Sequence, residues 1–451
     1  MPDTNKTNSV GSESRRGYLR YVGAAGAIGL AGCSGDDGDG GDGGDGGDTG
    51  GDGGDTGGDG GDGGSTTMAP SVEEFVIGSN HPLSGSLSFT GESMTRAMEL
   101  AAEQRNEAGG IEALDGAEVR IERGDNEARQ ELAGQVSEQL MDDGADVVTG
   151  CFNSDATLSA TAATEREGVP FVITVAASDR ILKGRDMNYT YRLQPTTFHY
   201  ARDWARFYTE LVRGEGHTLD TYAHYYIDNA YGSEIFEYVR DDFGPENDLE
   251  LVESTAVTLD QSDANAQVTR IREADPDGVV LTGYQQDALM FFNAMADLEW
   301  RPTWLSASAS VALVSADQIE QIGEPAEGIM DANYALNPNN ELTSTFESEY
   351  SDFADRSPTP EAGLAWSACQ VIFDAAERAG STDPDALNEA IAATDMGPEE
   401  TPIALDGVEF QDNGENAHAL AAMNQVRDGT PTVVYPEEFA EMDPLIEPGE
   451  T

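Results

Sequence analysis

The sequence predicts an α/β fold built as two doubly wound lobes of parallel sheet joined by hinge strands. Three observations carry this. From Glu74 onward, short runs rich in Val, Ile and Phe trade places with segments whose apolar residues recur at helical spacing. The alternation keeps the length of right-handed βαβ units on a parallel sheet. The series also runs twice, with a break after Arg192-Leu193-Gln194-Pro195.

The first series opens on the apolar run Phe75-Val76-Ile77-Gly78. Residues 92–108 place Met94, Ala97, Met98 and Ala101 on one helical face and stop at Gly109-Gly110. Val119 and Ile121 alternate along a strand ending at Asp125. Residues 129–142 read as a helix, Val147-Val148 as a strand, 157–167 as a helix and 170–173 as a strand. In the second series, strands are predicted at 222–227, 249–255 and 278–281, and helices at 233–241, 264–274 and 287–298. Gly328-Ile329-Met330 begins a further strand, and 342–354 and 361–379 are amphipathic helices. Ligands of such sheets bind beyond the carboxyl ends of the strands. The stretch GCFNSDA, Gly150 to Ala156, lies at such an end.

The charge is extreme. The 451 residues carry 85 acidic and 24 basic side chains, a formal charge of −61. Nucleic acid is excluded as a partner, because binding phosphates needs clustered Lys and Arg. So acidic a body repels itself unless salt screens it, which points to very high ionic strength. The 38% apolar content and four Trp set the chain after about residue 72 apart from disordered acidic chains. Cys33, Cys151 and Cys369 form no metal motif. A Cys151–Cys369 bridge is one option in an exported chain.

The first seventy residues read as address and tether. Arg15-Arg16 precedes a Gly/Ala-rich apolar stretch too short to span a bilayer, then Leu30-Ala31-Gly32-Cys33. This resembles a twin-arginine signal of the haloarchaeal type ending in a lipobox, which implies cleavage before Cys33 and lipidation of its sulfur. Residues 34–67 are almost only Gly and Asp and read as a disordered coil of roughly 30 Å root-mean-square span. The GxGxxG match at Gly38 to Gly43 follows no strand and opens no helix.

Several short signatures occur in one order. They are Pro82-Leu83-Ser84-Gly85, Asn106-Glu107-Ala108-Gly109-Gly110, Asp125, Gly150 with Ser154, Ala176-Ala177-Ser178, Tyr191-Arg192-Leu193-Gln194-Pro195, Asp228-Asn229-Ala230-Tyr231-Gly232 and Glu327-Gly328. In this order they resemble the branched-chain amino acid and amide binding proteins of ABC importers, which have the type I periplasmic-binding-protein fold. The resemblance covers roughly residues 74–436. It implies a bilobed clamp that closes on a small ligand by hinge motion, with no cofactor and no catalysis. It implies a permease and an ATPase as partners, and contact with the membrane through the lipid anchor alone. The expected divisions are a signal at 1–32, the lipidated cysteine and tether at 33–72, lobe 1 at 73–196 plus 327–400, lobe 2 at 197–326 plus 401–440, and a tail at 441–451.

Carried over residue by residue, the resemblance implies that Ser154 offers its hydroxyl to a ligand carboxylate or carbonyl, helped by the helix start behind it. Ala176 would give a backbone carbonyl, and Ser178 a hydroxyl, to a ligand amine. Tyr231 and Tyr284 would cover the apolar part from the second lobe. Asn153, Ala177 and the first-loop Phe89 complete the implied set. The second-lobe acid that meets an ammonium in amino-acid-binding members falls near 305–310, where Leu305-Ser306-Ala307-Ser308-Ala309-Ser310 carries none. Asp287 or Asp331 would replace it, or the ligand is a short amide, urea or a small carboxylate. A ligand-binding sensor for a membrane receptor would share fold and pocket. The catalytic alternative needs a base for Cys151, and His81 is the candidate at the same sheet end.

Overall fold

The computed structural model describes residues 72–449; the expected signal, Cys33 and nearly all of the tether lie outside them. Strand β1 (Glu74–His81) leads to α1 (Ser88–Glu107), β2 (Glu118–Asp125), α2 (Gln130–Asp142), β3 (Val147–Gly150), α3 (Ser154–Glu167), β4 (Phe171–Ile173) and β5 (Thr190–Arg192). These strands form one five-stranded parallel sheet in the order β2-β1-β3-β4-β5. Alternate residues of β1 serve opposite faces. Phe75 and Ile77 join the large core that includes Met94 and Met98 of α1. Val76 joins a second core with Ala133 of α2 and Ala160 of α3. Period-two alternation with both faces apolar is what a sheet covered by helices on both sides requires.

The chain then crosses into the second lobe. Helix α4 (Thr197–Asp203) runs through a π-helical segment, Trp204–Tyr208, into α5 (Thr209–Gly214). There follow β6 (Thr221–Ile227), α6 (Ala230–Tyr238), α7 (Gly244–Glu246), β7 (Glu250–Val257), α8 (Asn265–Ala274), β8 (Gly278–Thr282), α9 (Gln285–Asp297), β9 (Trp304–Ser308), α10 (Ala316–Ile322) and β10 (Met330–Asn333). After these come α11 (Glu341–Ala354), α12 (Pro360–Ala379), α13 (Pro384–Ala392), the short pair β11 (Asp395–Met396) and β12 (Val408–Glu409), and the hairpin β13 (Ala422–Arg427) and β14 (Thr430–Tyr435). The hairpin turns at Asp428-Gly429, both at positive φ, as a two-residue turn that keeps the strand twist demands.

The second sheet has seven strands in the order β14-β13-β10-β9-β8-β6-β7. It is parallel from β7 to β10, and antiparallel at β10–β13 and β13–β14. The β13–β14 hairpin adds an antiparallel edge to the parallel lobe that the sequence predicts. The strand pairing also moves the lobe borders. The return to the first lobe, expected at Glu327, comes only after β10, which pairs with β9 from Met330 to Ala332. The segment expected to re-enter the second lobe at 401 still runs beside β5. Arg192 N–H donates to the Gly414 carbonyl at 2.8 Å, and Asn416 N–H to the Arg192 carbonyl at 3.2 Å. The re-entry comes at β13. Apolar runs mark strands but carry no address for the sheet they join.

Candidate functional site

The turn that opens this region is fixed by glycine. Gly150 ends β3 at φ +124°, and a Cβ there would stand 2.3 Å from the Asn80 carbonyl oxygen. The chain can thus pass close under β1 and swing Phe152 and Ser154 over the carboxyl ends of the strands. Ser154 is the first residue of α3 and is buried. Its Oγ accepts a hydrogen bond from the Ser178 N–H at 3.2 Å, which ties the helix start to the loop after β4.

From the opposite lobe, α6 brings Tyr231 and the start of α9 brings Tyr284. Asn229 caps α6 by accepting from the N–H groups of Tyr231 (3.1 Å) and Gly232 (2.9 Å). Its amide nitrogen donates to the Tyr284 hydroxyl at 3.3 Å. Asp287 accepts from the Tyr284 N–H at 2.8 Å and holds that residue at the head of α9. The rings of Phe152 and Tyr284 lie 5.7 Å apart across the cleft, and those of Tyr284 and Tyr231 also 5.7 Å. The Tyr231 hydroxyl donates to the Ala309 carbonyl.

These groups enclose a narrow chamber of about 20 Å³. That is space for about one water, so a ligand of amino-acid size enters only when the lobes part. Val175 and Ala177 after β4, and Val311 after β9, give it apolar walls; Gln194, Tyr200 and Tyr334 close its hinge side. Larger grooves, of about 480, 520, 530 and 300 Å³, lie elsewhere. The first shares Tyr334 alone with the chamber and the second shares nothing with it. The smaller space is the one at the carboxyl ends of both sheets, where such folds hold ligands.

Four of the residues named from the sequence therefore meet here: Ser154, Ala177, Tyr231 and Tyr284. Four do not. The Ala176 carbonyl accepts from the buried Arg192 guanidinium at 3.0 Å, and the residue packs in the core on the α2/α3 face. The Ser178 hydroxyl caps the next turn, accepting from Arg180 N–H at 3.2 Å, and its carbonyl accepts from Arg192 at 2.9 Å. Asn153 turns away, its amide donating to the Ala128 carbonyl at 3.1 Å. Phe89 is 38% exposed at the start of α1, under the guanidinium of Arg356. Sequence reasoning did not single out Phe152, Tyr200, Tyr334 or Gln194 as site residues, although Gln194 lies inside one of the quoted signatures.

The electrostatics bear on the acid absent from 305–310. In the stretch 305–310 the hydroxyls of Ser306 and Ser308 have structural partners, and that of Ser310 is buried without one among the described residues. Ser306 accepts from Trp204 Nε1 at 3.0 Å, and Ser308 donates to the Tyr200 carbonyl at 3.2 Å. A buried acid stands one strand over. Asp331 of β10 is in register with Ala307, and it accepts from Ser310 N–H at 3.3 Å and Asn333 Nδ2 at 2.9 Å. It has no ion-pair partner among the described residues, and burial pushes its carboxyl up to about 7. Asp287 is pushed up to about 6 by the same cause. A buried ion pair lies beside the chamber: Arg192, fully enclosed, meets Glu415 at 2.9 Å.

Cys151 is not set up for nucleophilic chemistry. Burial drives its thiol up to about 12, where almost no thiolate forms at neutral pH. His81 is wholly enclosed, its ring bonded to Ser79 Oγ at 2.9 Å and held neutral by burial down to about 3. Cys151 and Cys369 are both free thiols, buried in different cores, which rules out the bridge between them.

The Leu/Ile/Val-binding protein homolog 8 of Brucella abortus is 26% identical over 389 residues, covering 83% of this chain and 94% of that one. Among solved structures, the branched-chain amino acid transporter substrate-binding protein LivJ of Streptococcus pneumoniae, in complex with isoleucine, superimposes with a TM-score of 0.69 at 20% identity. It covers 80% of this chain and all of that one. An ABC transporter solute-binding protein of Rhodopseudomonas palustris, in complex with 3,4-dihydroxybenzoic acid, gives 0.69 at 18% identity, covering 84% and 100%. Both likenesses show the fold. A model of the periplasmic binding protein family matches residues 74–430, from the first residue of β1 to the first of β14. The first sheet, the hinge and all of the second sheet but β14 fall within that match, and the chain belongs to the periplasmic binding protein family.

Proposed function

We propose that this protein is an extracytoplasmic solute-binding lipoprotein, anchored through Cys33, that captures a small molecule and delivers it to an ABC importer. The ligand class favoured is a branched-chain or other hydrophobic amino acid. One observation carries the reading. Ser154, at the head of α3 in the first lobe, faces Tyr231 and Tyr284 of the second across a chamber with otherwise mostly apolar and aromatic walls. A helix start and a hydroxyl suit a carboxylate, and the aromatic row suits an apolar body. The buried, unpaired carboxyl of Asp331, close behind Ala309 and Ser310, suits an ammonium, since an ion in such surroundings is stabilised only by a partner. The name of the Brucella relative and the isoleucine held by LivJ agree with this class. Small aromatic carboxylates are the second reading, favoured by the rings of Phe152, Tyr231 and Tyr284 and by the Rhodopseudomonas neighbour's ligand.

The test is a thermal-shift screen in molar KCl with amino acids, short amides, urea and small carboxylates. A ligand that binds only the folded clamp raises its melting temperature. A shift with leucine or its congeners supports the amino acid reading, and a shift with carboxylates lacking an amine moves it to the second. Turnover of a bound compound would overturn both.

A further inference from the structure

Gln194 lies in the hinge between β5 and α4, is fully enclosed, and lines the chamber. Its Oε1 accepts from the Tyr200 hydroxyl at 3.0 Å, which fixes the amide in place. Its Nε2 has no hydrogen-bond partner among the described residues. Buried polar groups in native proteins are nearly always paired, and leaving a donor unpaired costs free energy. The neighbouring hydroxyls do not relieve it: Tyr200 is bound to Gln194 itself and Tyr334 donates to Glu361 at 3.0 Å. An orphan donor on the wall of a binding chamber is what a site looks like before its acceptor arrives.

Position adds to this. Ser154 follows β3 and Gln194 follows β5, with β4 between them. Two strand spacings separate them, about 10 Å along the sheet edge. The chamber therefore offers donors at both ends and apolar walls between. A purely aliphatic side chain would satisfy the Ser154 end and leave Gln194 unpaired.

We propose that Gln194 is a specificity-determining residue, and that the ligand is a small carboxylate or amino acid with a second hydrogen-bond acceptor at the end away from its carboxylate. A hydroxyl or an amide carbonyl fits. This rests on the chamber being the ligand site, as proposed above, and it narrows the class. A site built around such a bond discriminates against the analogue that lacks the acceptor, because the protein donor is then buried without a partner.

The experiment uses matched pairs on the whole exported protein in molar KCl: leucine against asparagine, norleucine against glutamine, and benzoate against 4-hydroxybenzoate. Calorimetry reads each dissociation constant. For the best-binding pair, the wild-type protein is expected to favour the member with the far acceptor by about tenfold or more. Gln194→Met, similar in length and unable to donate, is expected to erase that preference while keeping the apolar member bound. Equal affinities within each pair for the wild type would overturn the assignment with no variant needed. So would an unchanged preference in Gln194→Met. Wild-type protein that binds no member of the panel would overturn the chamber reading along with it.

Discussion

The carboxylate of Glu234, on α6 of the second lobe, accepts a hydrogen bond from the backbone N–H of Asp179, in the first, at 2.8 Å. The same oxygen accepts from the Thr197 hydroxyl at 2.8 Å. Tyr238, one turn further along α6, donates to the Asp179 carboxylate at 2.6 Å. The lobes are thus latched on one side of the cleft by the bonds between Asp179 and α6. Glu234→Ala is expected to shift the ligand-free protein toward the open form and weaken ligand binding about tenfold. Small-angle scattering should show a larger radius of gyration. An unchanged radius and affinity would show that the latch does not bias closure.

Ser154→Ala is expected to weaken binding at least tenfold, the loss expected for a hydrogen bond to a charged group. The melting temperature should fall only modestly, because the remaining change is one bond from Ser178 N–H. Unchanged calorimetric affinity would remove Ser154 from the site.

The Arg192–Glu415 pair predicts a stability effect separate from ligand contact. Arg192 is fully enclosed and also binds the carbonyls of Ala176 and Ser178. Removing its partner strands a buried cation. Glu415→Ala should cost roughly 3–5 kcal/mol in denaturant titrations at fixed salt. A loss below 1 kcal/mol would mean that solvent reaches the guanidinium.

Asp331 sets a pH dependence with a definite sign. Burial raises its carboxyl from 3.8 to about 7, so the folded state holds the proton more tightly than the unfolded chain. Its contribution to the stability of the ligand-free protein is complete below pH 3.8 and is lost as the pH rises through about 7. Asp287 and Asp146, both raised to about 6 by burial, act in the same direction. Between pH 5 and pH 8 in molar KCl the ligand-free protein should lose stability, with at most roughly 3 kcal/mol from Asp331. Asp331→Asn should flatten that slope. An ammonium-bearing ligand should flatten it in the wild type as well, by pairing with the ionised form.

Salt is the fifth expectation. With a formal charge of −61 over the whole chain, the protein should hold its far-UV circular dichroism in molar KCl and lose it at millimolar KCl. The screening length grows from about 3 Å at 1 M to about 30 Å at 0.01 M. Spectra that do not change over that range would sink the halophilic reading.

Much of this was legible because apolar periodicity is a local signal. Phe75, Val76 and Ile77 announced β1, and Met94, Ala97 and Met98 announced α1, since each buries its side chain against an adjacent layer. Sheet membership was not legible. β10, with its sequence Met-Asp-Ala-Asn, reads the same whether it pairs with β9 or returns to the first lobe. The site was read in part through the resemblance, which implied Ser154, Tyr231 and Tyr284; each stands at a helix start beyond a strand end. The loss of Ala176 and Ser178 to Arg192 depends on a long side chain folding back across the sheet edge, which no spacing encodes. Gln194 was overlooked because its meaning lies in an absent partner, and only three-dimensional packing exposes an absence.

The antiparallel addition of β13 to β10 has a consequence for how the chain is made. The free edge of β10 is complete at Asn333, but the strand that covers it begins at Ala422. At typical synthesis rates the intervening stretch of about ninety residues takes roughly 5–20 s to emerge. During that interval β10 presents unpaired N–H and C=O groups in the middle of what will be the sheet, the kind of edge that recruits other chains. Maturation of the second lobe therefore waits for nearly the whole polypeptide. A ribosome stalled between β10 and β13 would hold a finished first sheet beside an open, adhesive second one.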